Sequence, residues 1–249
     1  MKALIFAAGL GTRLRPLTLS MPKALVPVGG KPLLGILLEK LKAAGIGEVV
    51  VNVHHFPDMI IEYLRSRTDL GMRIEVSDER DCLLETGGGV LSAGRFLGGE
   101  EPFLVHNVDI LSNLDIPSFM SDATSSHPDA LSTLLVSERK TSRYLLFDPS
   151  DMRMVGWTNV STGEVRSPWG NIRPDDFKAL AFSGVHVLSP GIFPSFRKMG
   201  FEGRFPIMDY YISSCREEPI YGATVDGLRM LDVGKVDCLA EAERFLSEL

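Results

Sequence analysis

The sequence predicts an α/β protein built on a doubly wound, Rossmann-like mixed sheet, mostly parallel, with a small inserted antiparallel region. Two observations carry this. Through the first half, short apolar runs alternate with segments of helical period, the pattern of β-α-β units around a parallel sheet. After Glu138 the texture changes to short hairpin-like runs separated by turn residues, which reads as antiparallel strands.

Taken in order, Ala3 to Ala8 is the first strand, and a long loop follows it. Pro32 suits a first helical turn and opens a helix through Leu33, Leu34, Leu37, Leu38 and Leu41, which Gly45 and Gly47 end. Glu48 to His54 is a Val-rich strand, Pro57 to Arg65 a helix and Met72 to Ser77 a third strand. The alternation continues with a short helix at Val90 to Phe96, a central strand at Pro102 to His106, a helix starting over Asp115 to Met120 with Asp115 as its cap, and a strand at Leu131 to Val136. The inserted runs are Tyr144 to Phe147, Met154 to Trp157 and Glu164 to Arg166; the polar stretch Trp169 to Lys178 is a loop over the site or a mobile connection. Ala179 to Leu188 returns as a buried strand. Ser189 and Pro190 open a helix, Ile207 to Cys215 forms another, and Leu228 to Val233 is a strand before a last helix at Val236 to Leu246. There is no internal repeat, and in particular no hexapeptide repeat of a β-helix domain.

Composition narrows the function. Hydrophobic residues make up 45% and charged residues 23% of 249, as in an ordinary globular protein. A net charge of -6 argues against a general nucleic-acid or acidic-membrane surface, so a phosphate site must be local. Cys82, Cys215 and Cys238 form no C-x-x-C pair and suggest neither disulfides nor zinc, which fits a reducing cytoplasm. Met1 to Gly9 lacks a signal-peptide cleavage pattern, and no apolar stretch is long enough to span a membrane.

Chemistry concentrates after the first strand, in Gly9-Leu10-Gly11-Thr12-Arg13-Leu14-Arg15-Pro16. Glycines let backbone N–H groups approach phosphate oxygens, and the strand ends of α/β sheets are where ligands bind. A dinucleotide fingerprint is excluded by Leu14 and by Pro16 where its helix should run; a Walker loop is excluded by Arg15-Pro16-Leu17. What remains is an anion loop carrying Arg13 and Arg15, followed by Lys23 held behind Pro22. Asp109 lies just past an apolar strand, where capping and metal ligation are about equally expected. Asp232 interrupts the apolar run Met230-Leu231-Asp232-Val233, where a carboxylate needs a cation or several donors. Two such carboxylates, completed by phosphates and water, suit magnesium. The adjacent His54 and His55 point to opposite faces of a strand and read as structural; Trp157 and Trp169 read as packing or lid residues.

Gly9-x-Gly11-Thr12-Arg13-Leu14-x-Pro16-Leu17-Thr18 and Pro22-Lys23-Ala24-Leu25 together resemble the signature of the sugar-1-phosphate nucleotidyltransferase superfamily. The similarity runs on through Leu84-Glu85-Thr86-Gly87-Gly88-Gly89, His106-Asn107-Val108-Asp109, Phe182-Ser183-Gly184-Val185 and Leu231-Asp232-Val233-Gly234, and is greatest to the N-acetylmuramate-1-phosphate uridylyltransferase branch. The resemblance implies a single domain over 1–249, with a nucleotide-binding half at 1–137 and an acceptor-binding half at 138–249 that holds the inserted hairpins and the last helix. It implies that a sugar-1-phosphate attacks a nucleoside triphosphate, UTP preferred, to give a nucleotide sugar and pyrophosphate, with Mg2+ as cofactor and the protein a monomer or homodimer. Arg13 and Lys23 would be catalytic. Ala7, Ala8, Gly9, Gly11, Thr12, Gly87, Gly88 and Asn107 would join them around the nucleotide, Glu85, Ser183 and Gly184 would border the acceptor, and Asp109 and Asp232 would hold the metal. Mannose- or heptose-1-phosphate guanylyltransferase, phosphocholine cytidylyltransferase and a non-catalytic nucleotide-sugar-binding subunit are the alternatives. Many relatives carry Glu-Lys-Pro for the acceptor in the middle region, where this chain has Val155-Gly156-Trp157-Thr158-Asn159, and Val108 replaces the usual Gly, so the local turn is expected to differ.

Overall fold

In β1 (Lys2–Phe6), Ala3 and Ile5 enter one hydrophobic core and Leu4 the other, as side-chain alternation along a strand requires. The same sorting recurs in β6 (Phe103–Asn107), where Leu104 joins the first core and Phe103 and Val105 the second. One sheet therefore separates two cores, each roofed by helices. The computed structural model describes all 249 residues.

The remaining strands, in chain order, are β2 (Pro27–Val28), β3 (Lys31–Pro32), β4 (Glu48–Val53), β5 (Arg73–Asp78), β7 (Ile110–Ser112), β8 (Ser132–Ser137), β9 (Arg143–Phe147), β10 (Met154–Asn159), β11 (Glu164–Arg166), β12 (Lys178–Leu188), β13 (Ile220–Ala223) and β14 (Met230–Asp232). The helices are α1 (Leu33–Ala43), α2 (Pro57–Ser66), α3 (Glu85–Leu97), α4 (Ile116–Ser126), α5 (Ile192–Lys198), α6 (Ile207–Ser214) and α7 (Leu239–Ser247). β5, β4, β1 and β6 run parallel, β12 crosses antiparallel between β6 and β8, and β13 is parallel to β8. The mixed, mostly parallel sheet expected from the alternating pattern is the observed one.

The hairpins after Glu138 are also present. β9, β10 and β11 form an antiparallel extension that joins the main sheet where Lys178–Leu180 of β12 pair with β9. β12 is long enough, at 11 residues, to belong to both parts. Its register against β8 slips between Phe182 and His186, which leaves Ser183 and Gly184 in an irregular stretch.

α1 forms because Leu33, Leu34, Leu37, Leu38 and Leu41 recur at three- and four-residue spacing, and all five are buried. It ends before Gly45, which adopts φ +76. Pro32 precedes this helix and pairs with Pro27 in the small β2–β3 ribbon. Asp115 caps α4 as expected, its carboxylate accepting from the Ser118 N–H at 2.9 Å. Several boundaries differ. α3 begins at Glu85 rather than Val90, the last helix starts as a 3-10 turn at Val236–Cys238, and β7 and β13 were not expected.

The long loop after β1 is not structureless. It folds through 3-10 turns at Thr12–Leu14, Leu17–Leu19 and Lys23–Leu25, and Leu14, Ala24 and Val26 anchor it in the first core. His55 reaches back to it, with Nε2 3.3 Å from the Thr18 carbonyl oxygen, while His54 Nδ1 lies 2.7 Å from the Glu79 carbonyl oxygen. Both histidines are structural.

A second tether holds the β7–β14 ribbon, in which Asp232 pairs with Ile110. Lys40 of α1 donates to the carbonyl and hydroxyl oxygens of Ser112 on β7. Burial pushes the Lys40 ammonium down to about 8, against the opposing charge of Asp115. The unfolded chain, with an ordinary value of 10.5, holds more protons at this position between about pH 8 and 10.5, so stability should rise with pH across that window. Lys40→Met should abolish that rise. Urea midpoints at pH 7.5, 8.5 and 9.5 for both proteins check this; parallel pH slopes would contradict it.

Candidate active site

The parallel strands β1, β4 and β6 all end on one edge of the sheet, the edge at which such folds bind ligands. A pocket opens there. Its wall includes Phe6 at the end of β1 with Ala7, Ala8 and Gly9 after it, Asn52 on β4, Leu83, Glu85 and Thr86 around the start of α3, Asn107 at the end of β6 with Val108 and Asp109 after it, and Lys23 from the loop.

Asn52 organises this edge from a buried position. Its Oδ1 accepts from the N–H groups of Ala7 at 2.8 Å and Ala8 at 3.3 Å, and its Nδ2 donates to Glu79 Oε1 at 3.0 Å. Glu79 Oε2 in turn accepts from the Leu84 N–H at 3.1 Å. The relay ties the exit of β1 to the turn before α3, and burial raises the Glu79 carboxyl above the usual range despite these donors. Asn52→Ala should therefore cost about 1 to 3 kcal/mol, because it strands buried donors and a buried carboxylate. Denaturant unfolding measures this; a loss below a few tenths of a kcal/mol would contradict the relay.

Glycines serve two different purposes here. Gly11 needs its φ of +61, and a Cβ would lie 2.8 Å from Thr18 Cγ2, so both conformation and space exclude a side chain. Gly9 has nothing within 4 Å of a virtual Cβ, so it leaves the pocket wall open. Gly11, Thr12 and Arg13 stand beside the pocket on the first 3-10 turn rather than in its wall.

Gly87 and Gly88, whose backbone the resemblance places at the nucleoside, both donate their N–H groups to the Phe205 carbonyl oxygen, at 2.9 and 3.2 Å. A Cβ on Gly87 would meet the Phe205 ring at 2.2 Å, and one on Gly88 the Gly203 carbonyl oxygen at 2.2 Å. These glycines permit close packing of α3, which is also why α3 starts before them despite their low helix propensity. Leu83, Glu85 and Thr86 form the pocket wall instead. Glu85 holds φ +64, an uncommon conformation for a residue with a side chain, and its carboxylate pairs with Arg204 at 2.8 Å.

The two aspartates meet, although 123 positions separate Asp109 from Asp232 in the sequence. The Val233 N–H donates to the Asp109 carbonyl oxygen at 2.9 Å, and β14 lies against β7 directly after Asp109. Partial burial, and behind it the charge of Asp109, raises the Asp232 carboxyl above the usual range against the pull of Lys23, Arg13 and Arg139. Lys23 forms an ion pair with Asp109, with both side chains largely buried. Asp232 Oδ1 and Arg13 Nη2 converge on the spot a Gly234 Cβ would occupy, 2.8 and 2.9 Å from it. Gly234 is the space that lets them approach. Two carboxylates and two cations thus gather at this end of the pocket, Lys23 and Asp109 in its wall and Asp232 and Arg13 beside it.

Val108 is buried in the first core and donates its N–H to the Phe6 carbonyl oxygen at 3.2 Å. The chain turns there without the left-handed conformation that would demand glycine. Gly184 does adopt φ +75, and a Cβ on it would lie 2.8 Å from Asn107 Nδ2, so it borders the pocket through Asn107. Ser183 is buried with its hydroxyl unpartnered, behind rather than within the wall. Trp157 packs partly buried on the second core, and Trp169 is exposed. Sequence reasoning passed over Asn52, Glu79 and Arg139. A polar residue within Val49-Val50-Val51-Asn52-Val53 was the available signal for the first.

The profile of the Nucleotidyl transferase family matches residues 2–152. The chain is similar, at 35% identity, to N-acetylmuramate alpha-1-phosphate uridylyltransferase of Caulobacter vibrioides, over 99% of this chain and 97% of that one. It is equally similar to the protein of the same name from Neisseria meningitidis serogroup B, over 98% and 97%. Mannose-1-phosphate guanylyltransferase 1 of Arabidopsis thaliana is 38% identical over 58% of this chain and 40% of its own length. Among solved structures, UDP-glucose pyrophosphorylase complexed with UDP-glucose shares the fold with a TM-score of 0.73 and 21% identity, covering 99% of this chain and 98% of that one. HddC from Yersinia pseudotuberculosis shares it with a TM-score of 0.75 and 20% identity, covering 98% and 99%. With a matching profile over more than half its length and relatives aligned from end to end, the chain belongs to the nucleotidyl transferase family.

Proposed function

We propose that this chain joins a nucleoside triphosphate to a sugar-1-phosphate and releases pyrophosphate, with UTP the preferred donor and N-acetylmuramate-1-phosphate or a similar hexose phosphate the acceptor. The observation that supports it most is the convergence of Asp109, Asp232, Lys23 and Arg13 beside a pocket walled by Gly9 and Asn107. Relatives aligned over nearly the whole chain carry the uridylyltransferase name, which favours that donor and acceptor.

The attacking group is a phosphate monoester whose second pKa is about 6, so it is an anion at neutral pH and needs no general base. The chain's task is to bring two anions together and to stabilise the charge that moves as the α-phosphate transfers. On this reading the Gly9–Arg13 loop holds the triphosphate and Lys23 stabilises the charge developing towards the pyrophosphate. The pocket wall at Leu83, Glu85 and Thr86 meets the nucleoside or the sugar. Residues 1–137 supply the donor side, and 138–249 supply the acceptor side together with Asp232.

The residues present fit a magnesium ion. Burial, and behind it the charge of Asp109, makes Asp232 costly to ionise, a cost that a cation relieves. No cluster of three or more His, Cys, Asp or Glu side chains forms a ready-made cage, so the ion would complete its shell with phosphates and water, as magnesium does with nucleotides. Bound there, it would supply neutralising charge to the transferring phosphate.

A matrix of UTP, GTP, CTP, ATP and dTTP against N-acetylmuramate-, glucose- and mannose-1-phosphate, with pyrophosphate release as readout, tests the reading. UTP with an N-acetylated hexose phosphate should turn over fastest. Absence of turnover for every pair with magnesium present would sink it.

A further inference from the structure

A sugar phosphate approaching a bound triphosphate is a dianion moving towards an anion, so a cation on the acceptor side must offset the repulsion. Most cleft cations already face a negative group. Lys23 is paired with Asp109, Arg204 with Glu85, and Arg13 converges with Asp232. β10, the middle strand of the antiparallel extension, carries no charged side chain between Met154 and Asn159.

Arg139 remains. It lies on the connection from β8 to β9, where the main sheet gives way to the extension, and its side chain is exposed. It takes part in no ion pair. One guanidinium nitrogen donates to the Phe182 carbonyl oxygen at 3.1 Å, which fixes the head group next to the irregular Ser183–Gly184 stretch of β12. Gly184 is the residue that packs on Asn107 of the pocket wall. A guanidinium carries five N–H donors in a planar fork, so with one committed to Phe182 enough remain for a bidentate grip on a phosphate. The tether has a further use, since it restricts a long side chain that would otherwise lose entropy on binding.

We propose that Arg139 binds the phosphate group of the sugar-1-phosphate acceptor. Arg139 is thus the acceptor-side counterpart of Arg13 and Lys23, and the phosphate it holds lies beside Asn107, facing the α-phosphate of the donor. This rests on the functional reading above.

The test is steady-state kinetics with the pair that the wild type turns over fastest, varying donor and acceptor separately, for Arg139→Met, Arg139→Lys and the neighbouring control Lys140→Met. Loss of a charge-assisted contact predicts an acceptor KM raised on the order of 10- to 100-fold in Arg139→Met. The donor KM and Tm should stay close to wild type, Arg139→Lys should recover part of the loss, and Lys140→Met should match wild type. An unchanged acceptor KM, or donor and acceptor KM rising together, overturns the assignment while leaving the enzyme's reaction intact. Wild type inactive with every pair removes the reading and this inference with it.

Discussion

Lys23→Ala should lower turnover by on the order of 10²- to 10³-fold, the usual cost of removing one preorganised charge from a phosphoryl-transfer site. The structure strengthens the expectation. Lys23 is held behind Pro22 on a 3-10 turn whose Ala24 is buried, and its side chain is largely enclosed, so the charge is fixed in place before substrate arrives. Its ground-state partner is Asp109, one of the two proposed metal ligands. Removing the ammonium should therefore also free Asp109 and sharpen its repulsion with Asp232, and so lower the magnesium concentration needed for half-maximal activity. Rate and magnesium titration measured on the same variant check both effects. Unchanged turnover with unchanged stability would take Lys23 out of the chemistry.

The second large effect belongs to the aspartate pair. Asp109→Asn and Asp232→Asn should each remove most activity, since the amide keeps the volume but gives up the charge that would hold a cation. The fold should survive. In the absence of ligand Asp232→Asn should be at least as stable as wild type, because the burial and the Asp109 charge that raise the Asp232 carboxyl no longer oppose an ionised group. The double variant should be scarcely worse than either single one, because the two residues serve one ion and their losses cannot add. Magnesium dependence and thermal melts of the three variants decide it. Additive losses with unaltered magnesium dependence would mean two independent roles.

How far these features could be read from the sequence depends on whether their cause is local. The strand–loop–lysine succession from Ala3 to Lys23 is local: a short apolar run, glycines that free the backbone and a proline before the lysine each act within a few residues. Asp115 as a cap is equally local, and the structure reproduces it. The start of α3 is not. Glu85 to Gly89 has poor helix propensity, and what makes it helical is packing against Gly203 and Phe205, more than a hundred residues away. The same distant packing consumes the Gly87 and Gly88 donors that looked available for a ligand.

The β7–β14 ribbon is hidden for a similar reason. Three residues at 110–112 pair with three at 230–232, too short a match to leave a pattern, yet this pairing brings the aspartates together. Each carboxylate was visible alone as a polar group at the end of, or within, an apolar run. Val108 shows the opposite case: a substitution that raised doubt proved compatible with the turn, because the backbone there is not left-handed and the side chain fits the first core. Asn52 was legible as an anomaly in a Val-rich strand, but its meaning lies in Ala7, Ala8 and Glu79, which only the folded sheet puts within reach.

The claim that the site transfers a nucleotidyl group is tested most directly by following the phosphorus atoms. UTP labelled separately at the α and γ positions would be incubated with magnesium, N-acetylmuramate-1-phosphate and the protein, and the products separated. The account predicts that the α label enters a nucleotide sugar and the γ label enters pyrophosphate, one for one. Release of the γ label as orthophosphate, or recovery of the α label as free UMP, would contradict it.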